Sequence, residues 1–406
     1  MYQQLSQPCW WFSTAGDVLF GCGTAQRIGV EARQRGFRRA LVVCDPQIVN
    51  AGLLDRIRAP LVEAGLACHV FDGGAPEPST EIVEAAVGAA QQANPDVIIG
   101  LGGGSNLDVA KVAAAVCAHG GRAADYFGEQ RVPGPGLPVI AVPTTAGTGS
   151  EVTAVAIIED TARRLKLAVA SPYLMPRLAI VDPLLTLTCP PKVTAESGID
   201  ALVHAVEAYT VINHAALAPP TDVRPQFSGK QPIADLLAAR AIRLVGRYLR
   251  AAVYQPHNLR AREGMHLAAL LAGMAFNSAG LGAAHALQYP VGARTHTSHG
   301  LGTGLLLPYV VAHLLPANPK AFARVAAWLG ERVAGLSNVD AAARCVEALQ
   351  RLKREIGLPM RLREIGIQEA QLRPMAEQAA TYQRLLRLSP RPLAVDDLEA
   401  ILRSAY

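Results

Sequence analysis

One change of period divides this chain. Up to Val181 short apolar runs alternate with helical patterns, and after Asp182-Pro183 and Pro190-Pro191 nearly every segment repeats at three and four residues. The first form is that of β-α-β units and a parallel sheet, and the second is that of packed helices. Strands are predicted over 40–44, 67–71, 96–100, 138–142, 153–158, 165–170 and 178–181, with helices over 52–64, 81–93 and 105–116. Helices alone are predicted beyond, over 194–209, 233–253, 259–278, 281–288, 300–315, 320–329 and 339–356. The expected organisation is an α/β domain with a parallel sheet over 1–188 and an all-α domain over 189–406. A length of 406 residues suits two cores. The stretch 219–229, rich in proline and glycine, reads as an inserted loop.

Only 17% of residues are charged, where a soluble domain carries roughly a quarter. The shortage is concentrated between Glu263 and Lys320, where Arg294 is the one formally charged side chain. A membrane span would tolerate neither the glycines and Pro290 that interrupt this stretch nor His266, Asn277, His285, Gln288, His296 and His299 within it. A buried bundle of short helices is expected instead. The net charge of +5 is scattered rather than gathered into a stripe, so nucleic acid is not an expected partner. Seven cysteines without a C-x-x-C pair argue against a disulfide scaffold or a thiolate zinc site. The N-terminal residues lack the basic and apolar regions of a signal peptide, and a cytoplasmic protein is expected.

Leu101-Gly102-Gly103-Gly104-Ser105 follows a predicted strand and opens a predicted helix. Glycines there let the backbone approach a diphosphate at the positive end of the helix dipole. The plainer reading is a tight turn with Ser105 as N-cap. Asp108 falls near the helix start, where it would cap or orient the loop. Asp45 ends the first predicted strand, positioned either to accept from adenosine ribose hydroxyls, which favours NAD over NADP, or to close a turn before Pro46. The loop from Pro143 to Thr153, with Thr144, Thr145 and Thr148, offers hydroxyls to a ribose or nicotinamide, or is a plain turn.

Asp200 and His204 are spaced i, i+4 and share a helix face. Such a pair makes either a local hydrogen bond or half of a metal site. His285 and His299, flanked by glycines in the charge-poor stretch, would complete a set of one carboxylate and three imidazoles. That set suits Fe(II) or Zn(II), whose Lewis acidity would favour the alkoxide from which hydride leaves. His266, on an apolar helix face, and His296 are weaker candidates.

Taken together these motifs resemble the iron-containing (group III) alcohol dehydrogenases. Gly102 to Ser105 with Asp108 and Lys111, Pro143 to Thr153, Ala179 to Pro183, Gly198 to His204, Ala279 to Gly282 with His285, and His299-Gly300 occur in that family's order, over about residues 12 to 380. The resemblance implies a dehydroquinate synthase-like fold, in which the α/β part over 1–188 is a Rossmann-like dinucleotide-binding domain and the all-α part over 189–406 holds the metal, with nicotinamide beside it in a cleft. It assigns Asp200, His204, His285 and His299 as metal ligands. It assigns Asp45, the glycine loop, Thr144, Thr145, Lys166 and Leu185 as cofactor contacts. Two departures stand out. Many members have a proton-relaying histidine four residues after the third ligand, where this chain has Tyr289, and many have Asn-Pro-Thr where it has Glu77-Pro78-Ser79. These, with the inserted loop that ends in Phe227 to Asp235, resemble a branch of hydroxyacid-oxoacid transhydrogenases and some ω-hydroxyacid dehydrogenases. Tyr289 would be a poorer base than imidazole, its ordinary pKa being about 10.

The expected activity is reversible, NAD-linked oxidation of a primary alcohol or ω-hydroxyacid to its aldehyde. The alternatives are transhydrogenation between 4-hydroxybutyrate and a 2-oxoacid with the cofactor retained, and a cofactor-binding protein that has lost catalysis. The related glycerol dehydrogenases and dehydroquinate synthases share fold and cofactor but differ in their metal-site motifs. A homo-oligomer is the family's implied default.

Overall fold

Nine strands are present in the computed structural model, which describes residues 9–163, 165–217 and 225–406. They are β1 (Asp17–Phe20), β2 (Arg39–Val43), β3 (Ala67–Phe71), β4 (Val97–Gly102), β5 (Gly128–Glu129), β6 (Val139–Pro143), β7 (Val155–Asp160), β8 (Leu165–Ala170) and β9 (Leu178–Val181). Six form one sheet in the order β1-β9-β6-β4-β2-β3, every neighbouring pair parallel. A smaller sheet pairs β5 with β8 and β8 with β7, the last pair antiparallel. Five helices accompany them: α1 (Ile28–Gln34), α2 (Pro46–Asn50), α3 (Leu53–Glu63), α4 (Thr80–Ala93) and α5 (Gly104–His119).

Residues alternate between the two faces of the main sheet. Leu41, Val43 and Ile98 pack with Val83, Val109 and Val112 of α4 and α5, while Ala40, Val42 and Ile99 pack with Ile28, Ile57 and Leu61 of α1 and α3. Both faces are covered by apolar side chains. That is why these strands read as unbroken apolar runs without polar alternation.

Strand order reverses at β2, which is flanked by β3 on one side and β4 on the other. Ligands of open parallel sheets bind beyond the C-terminal strand ends at such a reversal. Asp45 follows β2 there, and Gly103 follows β4. β4 extends to Gly102, two residues beyond the predicted end, because Gly102 pairs with Pro143 of β6. The glycine loop and the loop after Pro143 therefore leave the sheet side by side.

The second unit is helical: α6 (Pro191–Thr210), α7 (Pro232–Tyr254), α8 (Leu259–Ala279), α9 (Ala283–Thr295), α10 (His299–Leu314), α11 (Pro319–Trp328), α12 (Asn338–Glu355), α13 (Leu372–Ala379), α14 (Gln383–Leu386) and α15 (Val395–Ala405). Chain contacts separate Thr14–Pro190 from this unit, and the segment ending at Ser13 packs with the helices. Asn277 Nδ2 donates to the Ser13 carbonyl at 2.8 Å, and Ser13 N–H donates to Ser278 Oγ at 3.2 Å.

Two helices run past their expected bounds. Pro191 opens α6, at a position where a missing N–H costs nothing. α9 continues through Pro290 to Thr295, and every residue from Ala283 to Gly292 is buried. Packing on all sides outweighs the hydrogen bond that a proline removes. The segment His299–Ala317 is long and apolar enough to cross a membrane, but 72% of it is buried inside the protein, as in a core helix. Of the loop expected over 219–229, residues 219–224 lie outside the described residues.

Candidate metal centre and dinucleotide loop

α6 places Asp200, His204 and Glu207 on one face by their i, i+4 and i+7 spacing, α9 supplies His285, and His299 opens α10. Asp200, His204, His285 and His299 each offer a ligand atom, and these atoms all lie within 4.8 Å of one another. His204 Nε2 stands 3.7 Å from Asp200 Oδ2, and His299 Nε2 stands 3.8 Å from Asp200 Oδ1. Those separations exceed a hydrogen bond. The imidazoles of His204 and His285 stack at 4.9 Å between centroids, and those of His285 and His299 tilt at 5.2 Å. Burial works against an ionised Asp200, but His204, His299 and His285 outweigh it and hold the carboxyl below its ordinary range.

α10 reaches this position because Gly300 has no side chain. A Cβ there would come within 2.1 Å of the Glu196 carbonyl oxygen on α6.

Three residues that the sequence reading did not assign surround the cluster. Glu207 Oε2 lies 2.6 Å from His285 Nδ1, and the same carboxylate accepts from Gly282 N–H at 2.9 Å and Ala284 N–H at 2.7 Å. Thr303 Oγ1 donates to Asp200 Oδ1 at 2.8 Å, and Gln288 Oε1 lies 2.9 Å from His299 Nδ1. Glu207 was discoverable, since it sits seven residues after Asp200 on the same helical face. Gln288 and Thr303 likewise stand three and four residues after His285 and His299, but the groups they meet lie on other elements and depend on how α6, α9 and α10 pack.

The donor set fits a divalent cation. With Nδ1 facing the Glu207 carboxylate, His285 Nε2 turns into the cluster, buried and without a hydrogen-bond partner. An orphaned, lone-pair-bearing nitrogen beside a buried carboxylate is what a cation would satisfy. Phe276 stacks on His204 at 4.4 Å and forms an apolar wall. Tyr289 is buried, its ring 6.5 Å from that of His299 and 4.8 Å from that of Tyr382. Burial pushes its phenol above the usual range against the opposing Arg384 charge, so it keeps its proton at neutral pH.

In the α/β unit the N-cap of α5 is Gly103, with no side chain capping the helix. The Ser105 N-cap reading is thereby corrected: its hydroxyl donates to the Pro76 carbonyl at 2.6 Å. The first-turn N–H groups thus carry no side-chain cap, as an anion cradle requires. Gly102 has φ +141, and a Cβ on it would strike Asn106 Nδ2 at 2.2 Å. Gly104 backs onto Thr148, whose Oγ1 accepts from Ser150 N–H at 3.3 Å. Thr144 is buried, its N–H donating to the Gly102 carbonyl, and Thr145 is half-buried near Gly103.

Other expectations need amendment. Asp45 is the N-cap of α2: Oδ1 accepts from Gln47 N–H at 2.8 Å and Ile48 N–H at 3.0 Å, while Oδ2 accepts from Asn106 Nδ2 at 2.7 Å. The turn role is present, leaving roughly one acceptor direction for anything else. Asp108 does not cap α5 but accepts from Ser150 Oγ at 2.6 Å and Ile157 N–H at 2.8 Å. Lys111 Nζ donates to Ser150 Oγ at 2.7 Å and the Val155 carbonyl at 3.1 Å, locking the 143–153 loop onto α5. Burial drives the Lys111 ammonium down to about 8, against Asp108 and Glu151. Lys166 is ion-paired with Glu77, which gives the Glu77 departure a partner. Leu185 is fully buried in the sheet core, so its side chain is unavailable to a cofactor.

Fold and site together have the form of a metal-assisted dehydrogenase. The model of iron-containing alcohol dehydrogenases matches residues 15–183, and that of the Fe-containing alcohol dehydrogenase C-terminal region matches residues 226–406. The chain belongs to the iron-containing alcohol dehydrogenase family. It is 40% identical over 389 residues to long-chain-alcohol dehydrogenase 1 of Geobacillus thermodenitrificans (strain NG80-2), covering 95% of this chain and 94% of that one. It is 36% identical to the NAD-dependent methanol dehydrogenase of Bacillus methanolicus, covering 95% and 97%. The crystal structure of a 1,3-propanediol oxidoreductase superposes with a TM-score of 0.92 at 35% identity, covering 98% of this chain and 100% of that one.

Proposed function

We propose that this chain oxidises primary alcohols reversibly to aldehydes with NAD and divalent iron, as a homo-oligomer. The observation that carries this reading is the orphaned His285 Nε2 within the four-residue cluster. Asp200, His204, His285 and His299 would hold the cation. When bound, iron supplies Lewis acidity that lowers the pKa of an alcohol hydroxyl, and NAD supplies the hydride acceptor. Glu207 and Thr303 orient the ligating side chains. The α5 N-terminus and Gly102 to Gly104 would bind the diphosphate, with Thr144, Thr145 and Thr148 beside it and the remaining acceptor of Asp45 for a ribose hydroxyl. Phe276 against His204 keeps water from one side of the cluster and favours aliphatic alcohols over ω-hydroxyacids.

The test is NADH formation by anaerobically purified protein across short primary alcohols, diols and ω-hydroxyacids, with metal analysis. A further arm uses 4-hydroxybutyrate plus 2-oxoglutarate without added NAD. Iron-dependent NADH from primary alcohols is expected. No NADH in any arm, with Fe(II) or Zn(II), would sink the proposal, and 2-hydroxyglutarate in the last arm would establish transhydrogenation instead.

The dinucleotide loop has its own check. Gly102→Ala should weaken NADH binding, followed by fluorescence, by about tenfold or more, ~1.4 kcal/mol, because the added methyl must displace Asn106. Unchanged affinity would remove Gly102 from the cradle.

A further inference from the structure

The outer partners of His285 and His299 differ in kind. His285 faces a carboxylate, whereas His299 faces a neutral amide at 2.9 Å. We propose that Gln288 is a positioning residue that fixes His299 in the one ring tautomer able to ligate, and thereby governs how firmly the metal is held. This rests on the reading of the four-residue cluster as a metal centre.

Gln288 lies three residues after His285 on α9 and so shares its helical face. It is fully buried. Its amide oxygen can only accept, so His299 Nδ1 must carry the ring proton. Nε2, 3.8 Å from Asp200 Oδ1, then keeps its lone pair toward the cluster. The opposite amide orientation would place the proton on Nε2 and remove the ligand.

Two glycines hold Gln288 in place. A Cβ at position 292 would lie 2.7 Å from Gln288 Nε2, and one at 302 would lie 2.8 Å from its Cγ. In that slot Nε2 has no hydrogen-bond partner. A buried amide with its donor end unsatisfied is destabilising, so its retention is accounted for by what its acceptor end does. His299 is also the ligand most in need of support. Its side chain is 36% exposed, against 2% for His285 and 3% for Asp200, and it stands at the first position of α10, where little of the helix precedes it.

The test compares wild type, Gln288→Met and Gln288→Glu, stripped of metal and titrated with Co(II). The Co(II) Kd is measured by chelator competition, with the ligand-field spectrum and the unfolding of each metal-free protein recorded alongside. Gln288→Met is expected to bind Co(II) about 10- to 100-fold more weakly, with a shifted ligand-field band, while its metal-free form unfolds no more easily than wild type. Gln288→Glu keeps an acceptor of the same size and should bind at least as tightly as wild type. Equal affinity of wild type and Gln288→Met overturns this role, as does weaker binding by Gln288→Glu, which decides the matter alone if Gln288→Met does not fold. A wild type that holds no Co(II) overturns the metal centre and this role together.

Discussion

Replacing His285 with alanine is expected to strip the protein of metal and lower kcat/KM by at least about a thousandfold, ~4 kcal/mol of transition-state stabilisation. His285 is the ligand most firmly held, buried between Glu207 Oε2 at 2.6 Å and the cluster into which its free nitrogen turns. Alanine removes both connections at once. Glu207 keeps its bonds from Gly282 and Ala284 N–H, so the carboxylate stays solvated by backbone and the helical unit should still fold. Metal content after gel filtration, turnover and far-UV circular dichroism separate the outcomes. A folded, metal-loaded and active His285→Ala protein would refute the site. Glu207→Gln should fall between mutant and wild type, because it retains a hydrogen-bonding partner for Nδ1 but not the charge that makes the imidazole a stronger donor.

The second large effect concerns stability and involves no ligand. His266 is wholly buried on α8, and neither ring nitrogen has a hydrogen-bond partner. Burial pushes its pKa down to about 3. The unfolded chain takes up a proton there once the pH falls through about 6.5, while the folded chain does so only near 3. The unfolded state thus binds more protons throughout that window, and stability drops as the pH falls across it. Between pH 7 and pH 5 this one residue should cost about 2 kcal/mol. His266→Met should remove that component, and at neutral pH it should gain about 1–3 kcal/mol because two orphaned polar atoms disappear. Urea unfolding of the metal-free proteins at both pH values provides the comparison. Parallel losses in wild type and mutant would show that His266 is not the acid-sensitive group.

His266 also shows how far the sequence could be read. Its apolar helix face made it a weaker ligand candidate than His204, His285 and His299, yet no local pattern told that both its nitrogens would be left alone. The change of period near residue 188 likewise disclosed a sheet followed by helices, because strands buried on both faces must be apolar throughout. β1, four residues long and partly exposed, carries too little alternation to be recognised. The passage of α9 through Pro290 was hidden for a different reason. Helix propensity is a local quantity, and there it is overridden by burial on every side.

By itself the sequence determined the two kinds of architecture, the glycine loop at a strand-to-helix junction, and the pairing of Asp200 with His204. Each follows from spacing along a single element, where the helical or extended repeat converts residue number into direction. Tertiary structure alone decided that His285 and His299 would meet that pair, that Asp45 would be spent largely on capping α2 and holding Asn106, that Lys166 would find Glu77, and that Glu207, Thr303 and Gln288 would orient the cluster. Those contacts join elements distant in the chain. Their geometry is set by which helices can approach closely, and at Gly300 that approach depends on the absence of a single Cβ.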